Sequence, residues 1–454
     1  MMQKNDIIIA DILAQGCAGE GIAKPSGYTL FVPFAVEGDK CRLRVLKTGK
    51  HFGYAKIEEI LEPSPKRTEP PCAAFGRCGG CALMHMQYQE QLLWKEARVR
   101  DAISRIGEQN DCKVAPTAHG ERETAYRNKI QIPVAQDKSG EIVAGFFAPN
   151  SHRVVSTSAC LLQSEACRRI IETVLFWMRE NGVCAYDEKT HKGIVRHIYV
   201  REGEEGEVMV SLVTRTKNLP CEDSLISVMK KEGVTTLLQN INAAKTNVIL
   251  GNETRILYGS GTVTAKIGNI AYTVSHHSFF QVNPPVATML YEKGLELLGD
   301  ISDKTVFDLY CGIGSISLYL AKKAKKVIGV EIVPEAIEDA RKNAAQNGIF
   351  NTEFYTGDAG EVTKALYEKG VFADIAVVDP PRKGCSLQLI DTLLSMRPEK
   401  ILYVSCNPAT LARDIKILAD AGYTCGTVYP FDMFPQTAHV ECCVLLCRTQ
   451  HSSI

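Results

Sequence analysis

From residue 302 onward, apolar positions gather in short unbroken runs, each followed by a polar or glycine-containing loop and then a stretch with helical spacing. Runs 305–309 and 326–330 alternate with helical stretches 315–322 and 334–347. Buried runs alternating with helices predict a doubly wound α/β fold on a parallel sheet. Residues 1–62 follow another pattern. Strand-length runs 7–12, 29–32, 41–46 and 54–60 are separated by Gly16, Gly19, Gly21, Gly38 and Gly49, the arrangement of a small OB-like β-barrel. Glu62-Pro63-Ser64-Pro65 then breaks the pattern as a linker. Leu92, Val99, Ile103 and Ile106 recur at helical spacing and predict a helix over 87–106, stopped at Gly107. Between 120 and 272, runs 129–134, 195–200 and 208–213 mix with a helix at 167–180, an α+β unit. The division expected is a barrel at 1–62, a central α+β domain at 63–272 and an α/β domain at 273–454. Helix 87–106 is a candidate to pack on the last of these.

Composition agrees with several domains: 454 residues, 45% apolar and 23% charged, describe a globular chain too long for one core. Only a four-residue apolar run (7–10) precedes Asp11, too short for a signal-peptide core or a membrane span. A cytoplasmic protein with no membrane partner is expected. Basic and acidic residues number 52 each, so contact with a polyanion must come from local patches. One candidate covers 40–57, where Lys40, Arg42, Arg44, Lys47, Lys50 and Lys56 stand without a carboxylate, near Phe31, Phe34, Phe52 and Tyr54. Basic strands with aromatics suit a nucleic-acid-binding face, and a solvated face of a β domain reads the same way. Seventeen cysteines in a reducing compartment point to metal or catalytic roles rather than disulfides. Cys17, Cys41, Cys112, Cys184, Cys425, Cys442 and Cys443 lie in apolar or mixed surroundings and read as small buried hydrophobes.

The run 305–309 leads into a loop with Gly312 and Gly314, where the backbone can approach a ligand beyond the strand's carboxyl end. The next run ends at Glu331, placed to accept two ribose hydroxyls, and Asp358 follows Gly357 as a candidate neighbour of adenine. A dinucleotide dehydrogenase would share this outline. Here Ser317 replaces the third glycine of G-x-G-x-x-G, and Asp308 precedes the loop where a cationic amino acid could be held. The set predicts an S-adenosyl-L-methionine pocket, although Asp358 alone would also serve a polar turn. Two further runs end in chemistry: one in Asp379-Pro-Pro-Arg382, the other in Ser405-Cys406-Asn407-Pro408. Asn407 and Pro408 are good first residues for a helix, whose N-terminus favours a thiolate at Cys406. Cys72, Cys78 and Cys81 form C-x5-C-x2-C around Gly79-Gly80 and want a fourth thiolate. Four thiolates suit zinc or an iron–sulfur cluster alike.

Ser278-Phe-Phe-Gln-Val-Asn283, Asp308-Leu-Tyr-Cys-Gly-Ile-Gly314, Asp379-Pro-Pro-Arg382, Ser405-Cys-Asn-Pro408 and His439-Val-Glu441 together resemble the class I RNA uracil-5 methyltransferase family. Within it the chain is most similar to the 23S rRNA enzymes, which carry an N-terminal TRAM barrel and an iron–sulfur cluster. The similarity spans nearly the whole chain and is weakest in the central domain. It implies a Rossmann-like C-terminal methyltransferase domain and S-adenosyl-L-methionine-dependent formation of 5-methyluridine in RNA. By motif, Cys406 is the nucleophile and Glu441 the base, while Gln281, Tyr310, Glu331 and Asp379 hold the cofactor. Asp379 is also a candidate to orient the base. Cys160, ending the polar loop from Ser156, completes a [4Fe–4S] site with Cys72, Cys78 and Cys81. Family enzymes acting on tRNA generally lack the barrel and cluster, which puts 23S rRNA first, with tRNA the alternative. The target uridine must be splayed out of folded RNA, and the barrel with Tyr126-Arg-Asn-Lys129 is the candidate surface for holding that RNA. A monomer is expected. A cytosine-5 methyltransferase would carry a second cysteine in the aspartate motif, and an amino methyltransferase would have no use for Cys406. An iron–sulfur RNA-binding protein without catalysis would not need Cys406, Glu441, Gln281 and Asp308 together.

Overall fold

The computed structural model of the chain describes residues 2–157 and 159–449; Ser158, in the loop before Cys160, lies outside them. Strands β1 (Ile7–Gln15), β2 (Gly21–Ala23), β3 (Thr29–Val32), β4 (Lys40–Thr48) and β5 (Phe52–Glu62) close a barrel in the order β1-β2-β3-β5-β4. Its core comes from strict alternation: Cys41, Leu43 and Val45 of β4 are wholly buried, and the charged residues between them point out. The expected basic patch is largely neutralised. Lys40 pairs with Glu62, Arg42 with Glu59, and Arg44 and Lys56 with Glu58, because antiparallel pairing lays β4 along the acidic end of β5. Phe31, Phe52 and Tyr54 do form an outer cluster with ring centroids 5.6–5.9 Å apart. Phe34 turns instead against Phe75 and His85 of the following segment. The Pro63–Pro65 stretch is no loose tether, since buried Asp39 accepts from the Ser64 amide (2.9 Å) and pairs with Arg67 (2.5 Å).

Helix α1 (Tyr88–Arg105) lies within the central stretch of sequence but packs on the C-terminal domain, where Val99 and Ile103 share a core with Leu411, Ala412 and Ile415. Ile106, expected on its apolar face, is the helix's C-terminal cap residue and is exposed. The central unit is a seven-stranded sheet. It comprises β6 (Lys129–Gln136), β7 (Ile142–Phe147), β8 (Val154–Ser156), β9 (Val195–Glu202), β10 (Val208–Thr214), β11 (Thr236–Ile241) and β12 (Glu253–Tyr258), in the order β12-β11-β10-β9-β6-β7-β8. Helices α2 (Glu165–Glu180) and α3 (Glu222–Lys231) share its core, with Ile171, Val174 and Met178 of α2 fully buried. Each such side chain contributes about 1.5–3 kcal/mol of burial.

The hairpin β13 (Val263–Ile267) and β14 (Ile270–Val274) corrects the expected boundary at 272/273. Its inward residues Ala265, Ile267, Ile270, Tyr272 and Val274 belong to the C-terminal core. That domain continues with α4 (Pro284–Leu298), β15 (Thr305–Leu309), α5 (Ser315–Ala321), β16 (Lys326–Glu331), α6 (Pro334–Gln346), β17 (Thr352–Thr356), α7 (Ala359–Glu368), β18 (Ile375–Val378), α8 (Leu387–Met396), β19 (Lys400–Ser405) and α9 (Pro408–Asp420). Three final strands follow: β20 (Tyr423–Cys425), β21 (Tyr429–Phe431) and β22 (Glu441–Arg448). The sheet order is β17-β16-β15-β18-β19-β22-β20, with β21 beside β22; β15 to β19 are parallel and β22 runs against β19. Separate apolar cores cover its two faces. Burial on both sides is why β18 and β19 read as near-continuous apolar runs and β15 as one interrupted only by the buried Asp308. Of the cysteines expected to be buried, Cys41, Cys442 and Cys443 are; Cys17 and Cys184 are exposed. Cys112 and Cys425 are half-buried, with their sulfurs 3.3 Å apart. Among the described residues no helix is long and apolar enough to cross a membrane.

Candidate active site

The sheet order reverses between β15 and β18, so the connections leaving these strands diverge and open a crevice at their carboxyl ends. Tyr310 leaves β15 in the left-handed region (φ 72°), and the amides of Tyr310 and Cys311 both donate to the Val330 carbonyl, at 2.9 and 3.0 Å. Gly312 (φ 55°) and Gly314 (φ 81°) complete the turn. Glu331, at the end of β16, accepts from the amides of Gly312 (3.2 Å) and Val333 (3.0 Å), so its carboxylate orders the loop. Ile332 beside it is 62% exposed and presents an apolar wall at the same edge. Asp308 is wholly buried: Oδ2 accepts from the Ser317 hydroxyl, and Oδ1 has no partner. Burial pushes its carboxyl up to about 7, with Asp379 adding to the rise and Ser317 opposing it. Ser317, at the place of a third glycine, thus serves Asp308. The orphaned buried oxygen is costly and suits a cationic amino group.

Asp358 serves first as the cap of α7, its Oδ1 accepting from the amides of Gly360 (2.9 Å) and Glu361 (3.3 Å). It is one of the charges beside Tyr310, whose phenol is pushed up mainly by burial. Gln281 is buried, its carbonyl accepting from Asn128 Nδ2 (3.2 Å). Its side chain lies against the phenol of Tyr291, which donates to Ser315 Oγ (3.1 Å). Asp308 and Asp379 flank the same phenol. Tyr291 therefore ties Gln281 to the crevice, a role masked in the sequence by its place on the apolar face of α4.

Cys406 follows the last residue of β19. Asn407 Oδ1 caps α9 through the Ala409 amide (3.1 Å), with Pro408 in the first turn. Ser405 pairs with Cys442 across the β19–β22 ladder, which sets Cys406 opposite Glu441. Asp379 follows β18, next in the sheet. Three acidic groups thus meet at one sheet edge. The thiolate expected at Cys406 is not favoured: burial pushes the thiol up to about 11, and the charges of Glu441 and Asp379 add to it. These outweigh the helix N-terminus and Arg382, which acts the other way. Burial, then Asp379, pushes Glu441 up to about 8, again opposed by Arg382, and burial alone brings Asp379 to about 6. Arg382 Nη2 lies 3.2 Å from His439 Nε2. Burial and the cations Arg382 and Arg98 push His439 down to about 4, leaving it neutral at pH 7. The arrangement can add a sulfur nucleophile to a substrate and then take a proton on Glu441. In the sequence Arg382 is only the end of the Asp-Pro-Pro-Arg motif; its influence on both groups appears only in three dimensions.

Cys72, Cys78, Cys81 and Cys160 line one cavity of about 340 Å³. The Gly80 amide donates to Cys78 Sγ at 3.3 Å. Burial, then the neighbouring thiols of Cys160, Cys78 and Cys72, pushes Cys81 up to about 12. Arg127, Lys129, Gln131, Thr157 and Gln163 complete the polar lining, and both side-chain polar atoms of buried Gln163 lack a partner. Among the described residues no three His, Cys, Asp or Glu side chains are grouped to hold a single ion. Tyr126–Lys129, a stretch expected to hold RNA, lies beside this cavity rather than in an open loop. Tyr126 is buried with its hydroxyl donating to Pro435 O (3.2 Å), and Arg127 and Lys129 face the cysteine cavity.

Residues 239–449 match the family model described as tRNA (uracil-5-)-methyltransferase. An uncharacterized RNA methyltransferase of Halalkalibacterium halodurans is 44% identical over 98% of this chain and 98% of its own. One of Clostridium tetani is 44% identical over 98% and 97%. Among solved structures, the tRNA (uracil-54, C5)-methyltransferase of Pyrococcus abyssi, in complex with S-adenosyl-L-homocysteine, superposes with a TM-score of 0.78 at 28% identity. The match covers 96% of this chain and 99% of that one.

Proposed function

The chain belongs to the S-adenosyl-L-methionine-dependent RNA uracil-5-methyltransferase family, and we propose that it methylates C5 of a uridine in 23S rRNA. The observation that carries the chemistry is Cys406 opposite Glu441 at the sheet edge, beside the unpartnered oxygen of Asp308. Uracil C5 is a poor nucleophile. Cys406, once ionised, forms a bond from sulfur to C6, and the displaced electron pair makes the ring an enolate. When bound, S-adenosyl-L-methionine supplies a methyl group on a positively charged sulfur, which C5 then accepts. Glu441 removes the C5 proton, the C6–S bond breaks, and the thiolate is returned. A carboxyl held near 8 is well matched to accept a proton near neutral pH. Asp379 contributes by raising that basicity through like charge. Asp308 would hold the amino group of the cofactor, Glu331 its ribose, and Gln281 and Tyr310 its remaining edges, with Asp358 near the adenine.

The cysteine cavity fits a [4Fe–4S] cluster on Cys72, Cys78, Cys81 and Cys160. Four thiolates around an anionic cluster suit the two cations lining the cavity, whereas zinc would draw four sulfurs to about 2.3 Å from one point. Methyl transfer moves no electrons, so the cluster's role is to hold the loop. The barrel is read as a TRAM domain whose Phe31, Phe52 and Tyr54 stack RNA bases. The protein acts as a monomer in the cytoplasm. A second reading, tRNA, is favoured by the Pyrococcus abyssi tRNA enzyme, which matches nearly the whole chain, barrel included. Unmodified rRNA and tRNA, incubated separately with purified protein and methyl-labelled cofactor, separate the two. Label as 5-methyluridine in 23S rRNA supports the first reading; label only in tRNA replaces it with the second.

A further inference from the structure

Glu441 opens β22, yet the nine residues before it (432–440) form no helix or strand. They are held from outside their own sheet. From α1, Tyr88 donates to Asp432 Oδ2 (3.0 Å), and Lys95 donates to Asp432 Oδ1 (2.5 Å) and Phe434 O (3.2 Å). Gln91 and Gln436 bond reciprocally: Gln91 Nε2 donates to Gln436 Oε1 (2.9 Å), and the Gln436 amide donates to Gln91 Oε1 (3.2 Å). Arg98 donates to the Ala438 carbonyl. From the chain just after Cys81, the amides of Ala82 and Leu83 both donate to the Gln436 carbonyl at 3.1 Å. Gln436 itself sits in the left-handed region (φ 69°), a conformation a glutamine adopts at a cost. Lys95 and Asp432 are wholly buried, and Gln91 and Gln436 nearly so. A buried polar set of this kind, fully paired, has one low-energy arrangement.

We infer that α1 and the segment after Cys81 form a frame that positions the catalytic base, with Gln91, Arg98 and Gln436 as positioning residues for Glu441. This rests on the reading of Cys406 as nucleophile and Glu441 as base. Glu441 is needed only after the methyl group has moved, so a loosened frame slows proton removal and leaves adduct formation intact. The covalent protein–RNA species then accumulates. A misplacement of about 1 Å costs a reacting group as much as about 100-fold in rate.

The test is single-turnover methylation of substrate RNA, following SDS-stable adduct and 5-methyluridine together. Gln91→Met should form adduct within two-fold of the wild-type rate, release product at least ten-fold more slowly, and accumulate several-fold more adduct. Gln91→Glu, which keeps the acceptor for the Gln436 amide, should fall between. Arg98→Met removes one hydrogen bond to the segment, and a cation over the Trp94 ring, at a half-buried position; it should show the same partition, weaker, even where Gln91→Met folds poorly. Adduct and product falling in proportion in Gln91→Met and Arg98→Met would overturn the frame. Glu441→Gln should accumulate the most adduct of all. If it accumulates none, the reading of Glu441 as base fails instead, and the frame with it.

Discussion

Arg382 is the one cation found to oppose the high pKa of both Cys406 and Glu441, and its removal gives a quantitative prediction. A thiol pushed up to about 11 is ionised to about one part in 10,000 at pH 7, against about one in 30 for a free cysteine near 8.5. The proposed nucleophile is therefore almost entirely protonated in the free protein, and each small electrostatic influence changes the thiolate fraction directly. Arg382 is exposed, so its attraction is screened and worth about 0.2–1 kcal/mol. Arg382→Gln should cut the thiolate fraction by roughly 1.5- to 5-fold by the same measure. The assay is iodoacetamide alkylation of Cys406, followed by peptide mass spectrometry between pH 7 and 9. Wild-type alkylation should rise about ten-fold per pH unit across that range, since the thiolate is the reacting form. The deficit of Arg382→Gln should be largest at low ionic strength and vanish near 1 M salt, where the screening length is about 3 Å. Equal or faster alkylation of the variant at low salt would refute the electrostatic role, and a deficit indifferent to salt would refute its coulombic origin.

Other consequences are as direct. Asp379, Asp308 and Glu441 hold their protons to about 6, 7 and 8 in the fold, against about 4 in an unfolded chain. Carboxyl pKa values raised by folding give stability that is full below the unfolded value and is lost as pH rises through the folded one. The cofactor-free protein should accordingly melt at lower temperature at pH 9 than at pH 5.5, and Asp379→Asn should flatten that slope; a melting temperature that rises across the interval contradicts the burial argument. Ser317→Ala removes the sole side-chain donor found on Asp308 and should raise the cofactor KM several-fold while leaving Cys406 alkylation unchanged. If the four cysteines hold the proposed cluster, Cys81→Ser protein purified without oxygen should lack the iron and sulfide that wild type carries, whereas iron-free wild type or full iron in the variant would contradict that assignment.

The strands of the C-terminal sheet were legible because two-sided burial writes them as mainly apolar runs, and β15 and β16 begin at the residues those runs mark. The α9 cap was legible because Asn407 and Pro408 act through local backbone geometry. Charge was much less so. The run 40–57 looked unopposed because it stops one residue before Glu58, and only the β4–β5 register reveals the pairing. The ionisation of Cys406 escaped for the same reason. Its local sequence shows the helix N-terminus, while Glu441 and Asp379 arrive from neighbouring strands. Tyr291 was indistinguishable from any apolar position of α4. The hairpin at 263–274 was cut by the expected boundary, since alternation does not say which core a strand's inner face will join.

The chemistry at Cys406 is tested most directly with RNA carrying 5-fluorouridine in place of uridine. Fluorine at C5 leaves Glu441 no proton to remove after methyl transfer, so the C6–S bond should persist. Wild-type protein with S-adenosyl-L-methionine should give an SDS-stable RNA adduct that maps to the peptide containing Cys406, and Cys406→Ala should give none. Absence of an adduct from active wild-type protein, or an undiminished adduct in Cys406→Ala, would contradict the assignment.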